Sequence, residues 1–99
     1  MSEATISRCL RFFKTIDESD GLAGKWDMIK AAGNEASFRR WVENFLIFHG
    51  FIETIKEDTR MLYKKTERGQ NFQSLLEDHD YVMAFRRLSG KKLRSVTDS

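Results

Sequence analysis

Apolar positions recur along this chain at helical spacing, with one alternating stretch between them. From Glu3 to Ile16, the residues Ile6, Cys9, Leu10, Phe13 and Ile16 follow the i, i+3, i+4, i+7 pattern of a helix with one buried stripe. Ser2 stands where a helix cap is expected. The charged run Asp17-Glu18-Ser19-Asp20-Gly21 reads as a solvated loop. A short helix follows over Lys25–Ala32, with Met28, Ile29 and Ala32 as its apolar face and Trp26 covering its start. Gly33-Asn34 closes it, since both residues tolerate the left-handed conformation. The third helix runs from Glu35 to His49. Phe38, Val42, Phe45, Leu46 and His49 share its stripe, Trp41 lies at the edge, and Arg39, Arg40, Glu43, Asn44 and Ile47 are left for the other face.

Past Gly50 the period changes. Phe51–Lys56 and Met61–Lys65 read as two strands joined by a polar turn at Glu57–Arg60. Thr66 then caps a long helix from Glu67 to at least Leu88, striped by Phe72, Leu75, Leu76, His79, Val82, Met83 and Arg86. Phe72, Leu75 and Leu76 are expected to close the core, and residues 95–99 to form a frayed tail. The pattern predicts one domain over 1–94 that is mainly α with a small β-hairpin (α+β), and whose closing helix spans about 67–90.

Composition changes this picture little. The chain of 99 residues suffices for a single core, and the absence of proline leaves the helices unbroken. A net charge of +2 is too small to argue for nucleic acid by itself, so the distribution of charge must decide. Cys9, the one cysteine, excludes an internal disulfide and a cysteine-based zinc site and fits a reducing compartment. With no apolar run long enough for a signal peptide or membrane span, a cytoplasmic location is expected. No nucleophile–base spacing or phosphate-cradling glycine loop can be placed, so no enzymatic activity and no cofactor are expected. Glu77-Asp78-His79-Asp80 has the residue types of a metal site but the wrong spacing, because helix neighbours point apart. His79, on the apolar stripe, is instead expected to be a partly buried interface histidine, and His49 to pack beneath the hairpin.

The segments Asp27-Met28-Ile29-Lys30-Ala31-Ala32-Gly33, Phe38 through Ile52, and Tyr63-Lys64-Lys65-Thr66-Glu67-Arg68-Gly69 together resemble a winged helix-turn-helix. In that family the last segment commonly reads Tyr-x-Leu-Thr-x-x-Gly. The resemblance covers about Thr5–Leu76 and is strongest to small archaeal and archaeal-virus regulators. Lys65 departs from it, standing where an apolar residue is usual, and the turn at Gly33–Ala36 is slightly longer than the tightest form. The resemblance implies a recognition helix in the major groove and a wing on the DNA backbone.

On that reading, Asn34, Ser37, Arg39, Arg40 and Asn44 face bases, arginine suiting guanine and asparagine adenine. Lys56, Arg60, Lys64 and Lys65 of the wing meet phosphate, although lysines also protect edge strands from aggregation. Glu43, Glu57 and Asp58 confine the contact to the first turns of the helix and the flanks of the wing. Val82, Met83, Phe85 and Leu88 lie beyond a three-helix core and, with Phe12 of the first helix, are expected to form a homodimer interface. Two-fold pairing would set two recognition helices about one DNA turn, ~34 Å, apart. The basic run Arg86, Arg87, Lys91, Lys92 and Arg94 either tracks phosphates or stays solvated. The expected function is sequence-specific double-stranded DNA binding as a homodimeric transcriptional regulator. The alternative is a winged helix used as a protein-interaction module.

Overall fold

The computed structural model describes residues 2–79 together with Tyr81 and Met83. Helix α1 spans Glu3–Glu18, and the Ser2 hydroxyl accepts the Thr5 N–H at 3.2 Å to cap it. It outlasts the expected end because the acidic run supplies its last turn. Ser19 closes it, donating its N–H to the Ile16 carbonyl at 3.1 Å and its hydroxyl to the Thr15 carbonyl at 2.8 Å. After a turn comes β1 (Ala23–Gly24), which leads directly into α2 (Lys25–Ala32). The chain then forms α3 (Glu35–Phe38), which continues without a break into a π-helical segment, Arg39–Ile47. Strands β2 (Ile52–Glu57) and β3 (Arg60–Lys65) make the hairpin, and a fourth helix, α4, begins at 67.

The sheet is antiparallel with order β1-β3-β2. Strand β1 was not anticipated from sequence: two residues carry no alternation to detect. It holds the start of α2 against the hairpin through the pairs Ala23↔Tyr63 and Gly24↔Leu62. In the hairpin, Ile52 pairs with Lys65 and Glu57 with Arg60, leaving Asp58 and Thr59 as the loop. Asp58 sits at φ 57°, a left-handed conformation that aspartate tolerates better than most residues.

The core is centred on α1, which contributes Ile6, Cys9, Phe12, Phe13 and Ile16. Phe12 is fully buried there and has no surface to offer a second copy, which removes it from the expected dimer interface. Leu10 is only half-buried, because the stripe is centred nearer Phe12 than the i, i+4 count suggests. Met28, Phe38, Val42, Leu46, Ile52, Tyr63 and Leu76 complete the core. Leu75 points outward at 67% exposure, and the buried neighbour on α4 is Gln73 instead. Phe72 stacks on Phe51 with ring centres 4.1 Å apart and planes within 8°. His49 is exposed rather than packed, and His79 is exposed in the single chain. His49 follows the π-wound segment onto the surface, where it touches Phe45, Phe48 and Phe51.

The Thr-x-x-Gly sequence acquires a physical reason here. The Thr66 hydroxyl accepts the Gly69 N–H at 2.9 Å and donates to the Gly50 carbonyl at 2.6 Å, while the Thr66 N–H donates to the Phe51 carbonyl at 3.1 Å. A Cβ at position 69 would run into the Phe51 carbonyl oxygen and lie 2.9 Å from its carbon. Only glycine lets α4 close this tightly on the chain leaving α3. Among the described residues no helix is long and apolar enough to cross a membrane. Val82, Phe85, Leu88, the basic run from Arg86 to Arg94 and the tail 95–99 lie outside the described residues.

Candidate nucleic-acid interface

Phe38, Val42 and Leu46, spaced four apart, are all fully buried. A helix bonded i to i+5 has more than four residues per turn, so a spacing of four keeps one face toward the core over the whole segment. The same winding places Arg40, Asn44 and Phe48 on the opposite face, and all three are exposed. The result is a straight solvent-facing stripe with Arg40 and Asn44 as its polar members.

The other sequence-predicted residues of this helix have defined structural roles. Asn34 is the cap of α3, its Oδ1 accepting the Ser37 N–H at 2.8 Å. That bond uses the amide oxygen, and the NH2 group has no hydrogen-bond partner among the described residues. Ser37 is half-buried and contributes its backbone to the cap. Arg39 donates to Glu35 Oε1 at 2.8 Å in an exposed i, i+4 pair. Such a pair is worth about 0.3–0.5 kcal/mol, so it aims Arg39 without holding it from a phosphate. Arg40 lies over the Trp41 ring at 5.5 Å, and Arg8 of α1 lies over the same ring at 5.1 Å. This contact restricts Arg40 to a few orientations.

In the hairpin, antiparallel pairing sorts the cations by face. Lys56 is paired across the ladder with Met61 and shares the sheet face of Tyr63, whose ring meets Phe38 of α3 at 5.7 Å. Lys56 is thus on the α3 side of the sheet. Lys64 and Arg60 occupy the other face, opposite Glu53 and Glu57 respectively. All three cations are exposed. Lys65 is different. Its side chain is 14% exposed, and its Nζ donates to Asp17 Oδ1 at 2.8 Å and to Gln73 Oε1 at 2.6 Å. Gln73 in turn donates to Asp17 Oδ2 at 3.1 Å. Lys65 therefore ties β3 to the end of α1 and to α4, and its expected place among the phosphate contacts is corrected. The same triad explains why a lysine stands at a usually apolar position: its ammonium has two fixed acceptors.

Burial alone would push the Asp17 carboxyl up, but the hydrogen bonds from Lys65 and Gln73 and the Lys65 charge outweigh it and hold the group below its ordinary value. Burial raises the Tyr63 hydroxyl, with help from the charge of Glu43. Burial pushes the Cys9 thiol up to about 11, against a smaller opposing effect of Arg8. That thiol is a packing group, protonated at neutral pH. Among the described residues no cluster of His, Cys, Asp and Glu could hold a metal ion.

The chain is similar in fold to the crystal structure of Sso10a-2, a DNA-binding protein from Sulfolobus solfataricus. The TM-score is 0.72 at 16% identity, covering 97% of this chain and 96% of that chain. No protein-family model and no curated protein matches. The mainly helical α+β class expected from sequence is the class observed; among the described residues it comprises four helices and a three-stranded antiparallel sheet, where a two-stranded hairpin was expected.

Trp26, expected to cover the start of α2, is instead 69% exposed beside the hairpin, and next to it stands the exposed Lys25, to which sequence reasoning gave no role. A signal was present: at 3.6 residues per turn, position 26 lies about 200° from the buried Met28, on the far side of a short helix.

Proposed function

We propose that this protein binds double-stranded DNA as a homodimeric, intracellular transcriptional regulator with a winged helix-turn-helix reading head. The stripe of Arg40 and Asn44 enters the major groove, with Arg39 beside it, and Lys56, Arg60 and Lys64 hold phosphates from the wing. The observation that carries this reading is the exposed polar stripe opposite Phe38, Val42 and Leu46, next to a cationic hairpin. It sits on a fold shared over nearly its whole length with a protein described as DNA-binding. Arginine and asparagine are the residues best able to make paired hydrogen bonds to guanine and adenine.

Selection from a random duplex pool at near-physiological salt tests the proposal. Enrichment of a two-fold symmetric site is expected, and Arg40→Ala with Asn44→Ala should abolish the preference while sparing the fold. Unchanged preference in that double variant overturns the assignment of α3. For the dimer, the exposed Leu75 of α4 is the described residue best placed to meet a copy of itself, with the half-buried Met83 further along. Leu75→Glu should give a folded monomer in sedimentation, and an unchanged dimer places the interface elsewhere. The exposed Phe48 favours a second reading, a protein-interaction module. Absence of duplex binding even at low salt would put that reading first.

A further inference from the structure

A groove of about 470 Å³ separates the start of α2 from the wing, and its lining includes Lys25, Trp26, Asp27, Arg60 and Met61. That volume falls in the range of about 300–1,000 Å³ typical of small-ligand pockets. The two tryptophans of the chain have opposite surroundings. Trp41 is half-buried, with guanidinium groups of Arg8 and Arg40 over it and Phe45 at its edge. Trp26 is 69% exposed, and among the described residues no ring or cation covers it. An indole left open to water at a groove wall has no packing role to explain it.

The charges beside it are available too. Lys25 and Arg60 form no ion pair among the described residues. A guanidinium nitrogen of Arg60 reaches to 3.8 Å from where a Cβ on Gly24 would stand, and Asp27 Oδ2 is equally far from that point. Arg60 thus reaches across β1 toward the start of α2, on the same side of Gly24 as Asp27. Met61, 38% exposed, adds a polarisable apolar wall.

We propose that this groove is a site for single-stranded nucleic acid, in which one unpaired base stacks on Trp26 and its flanking phosphates are held by Lys25 and Arg60. Stacking needs a free base face, which a paired duplex does not present, whereas every unpaired base has one. The Asp27 carboxylate is placed to accept a hydrogen bond from a base N–H, such as the N3–H of thymine, and steers phosphate to the Lys25–Arg60 side. The site shares Arg60 with the proposed duplex contacts but none of the α3 stripe, and it stands whether or not the duplex reading holds.

Fluorescence anisotropy with a labelled oligothymidylate at low salt tests it, with a duplex measured in parallel. The wild type should bind the oligonucleotide. Trp26→Ala should weaken that binding on the order of tenfold, Trp26→Phe should retain most of it, and duplex affinity should change little. Arg60→Gln should lower both affinity and salt dependence. In Trp41→Phe, where Trp26 is the only indole, saturating oligothymidylate should quench the emission. Equal oligonucleotide binding by wild type and Trp26→Ala overturns the proposal. So does no binding by the wild type, unmoved Trp26 emission, or equal loss of duplex and single-strand binding in Trp26→Ala. Intact duplex binding with no oligonucleotide binding would remove this site and leave the proposed function standing.

Discussion

Replacing Lys56 and Lys64 by alanine tests the wing as a phosphate contact. Both side chains are exposed and neither is ion-paired among the described residues, so the fold should tolerate their loss. Each phosphate neutralised on a duplex contributes about 0.9 to the slope of log affinity against log salt. The pair therefore carries about 1.8 of slope per protomer. Raising salt fourfold, from about 50 to about 200 mM, should cost the wild type about twelvefold more affinity per bound protomer than the double variant, or about 150-fold for a bound dimer. Lys56 should dominate, because it lies on the α3 side of the sheet opposite Met61, whereas Lys64 faces Glu53. Lys65→Ala is the internal control. Its ammonium is committed to Asp17 and Gln73, so the slope should stay unchanged while stability falls by about 1 kcal/mol. Anisotropy titrations of a labelled duplex at several salt concentrations, with denaturant melts, give both numbers. A slope unchanged in the Lys56/Lys64 variant, or lowered as much by Lys65→Ala, would refute this division of the four lysine and arginine side chains.

The remaining predictions concern the scaffold. Gly69→Ala forces a methyl group against the Phe51 carbonyl and should cost about 2–3 kcal/mol, lowering the melting temperature by about 10 °C or more; an unshifted melt would show that α4 closes differently. The folded-state pKa of Asp17 lies below its unfolded value, so its stabilisation is complete above about pH 4 and fades as pH falls through the lower folded value. Asp17→Asn should remove that part of the acid sensitivity in melts between about pH 2 and 6, and an identical profile in the variant would contradict the triad. Cys9, buried with its thiol raised to about 11, should react with a thiol reagent at neutral pH only as fast as the protein unfolds, and rapid labelling of the native state would mean that α1 opens locally.

Much of the architecture was legible in the sequence because local patterns fixed it. The stripe Ile6, Cys9, Phe13 and Ile16 found its core, α2 begins and ends where its glycines and apolar face put it, and the alternation after Gly50 marked the hairpin. Thr66 and Gly69 announced the start of α4 before the contact that requires glycine was visible. What failed were inferences that depend on a third partner. Strand β1 exists only because β3 offers it a ladder, and two residues have no period of their own. Leu75 and Leu76 are equivalent by hydrophobicity, and only the position of α4 over Phe51 and Phe13 decides which is buried.

The nine expected DNA-contacting residues show the same boundary. The sequence by itself determined their chemical types and their clustering on one helix and one hairpin. Local contacts occupy Asn34 and Ser37 in a cap and Arg39 with Glu35, whereas tertiary structure decided that Arg40, Asn44, Lys56, Arg60 and Lys64 face solvent and that Lys65 is held by Asp17 and Gln73. Lys64 and Lys65 are neighbours of identical chemistry, and strand alternation sends their ammonium groups to opposite faces of the sheet. The ammonium of Lys64 meets water, and that of Lys65 meets the carboxylate of a residue far away in the chain, which no local pattern could reveal.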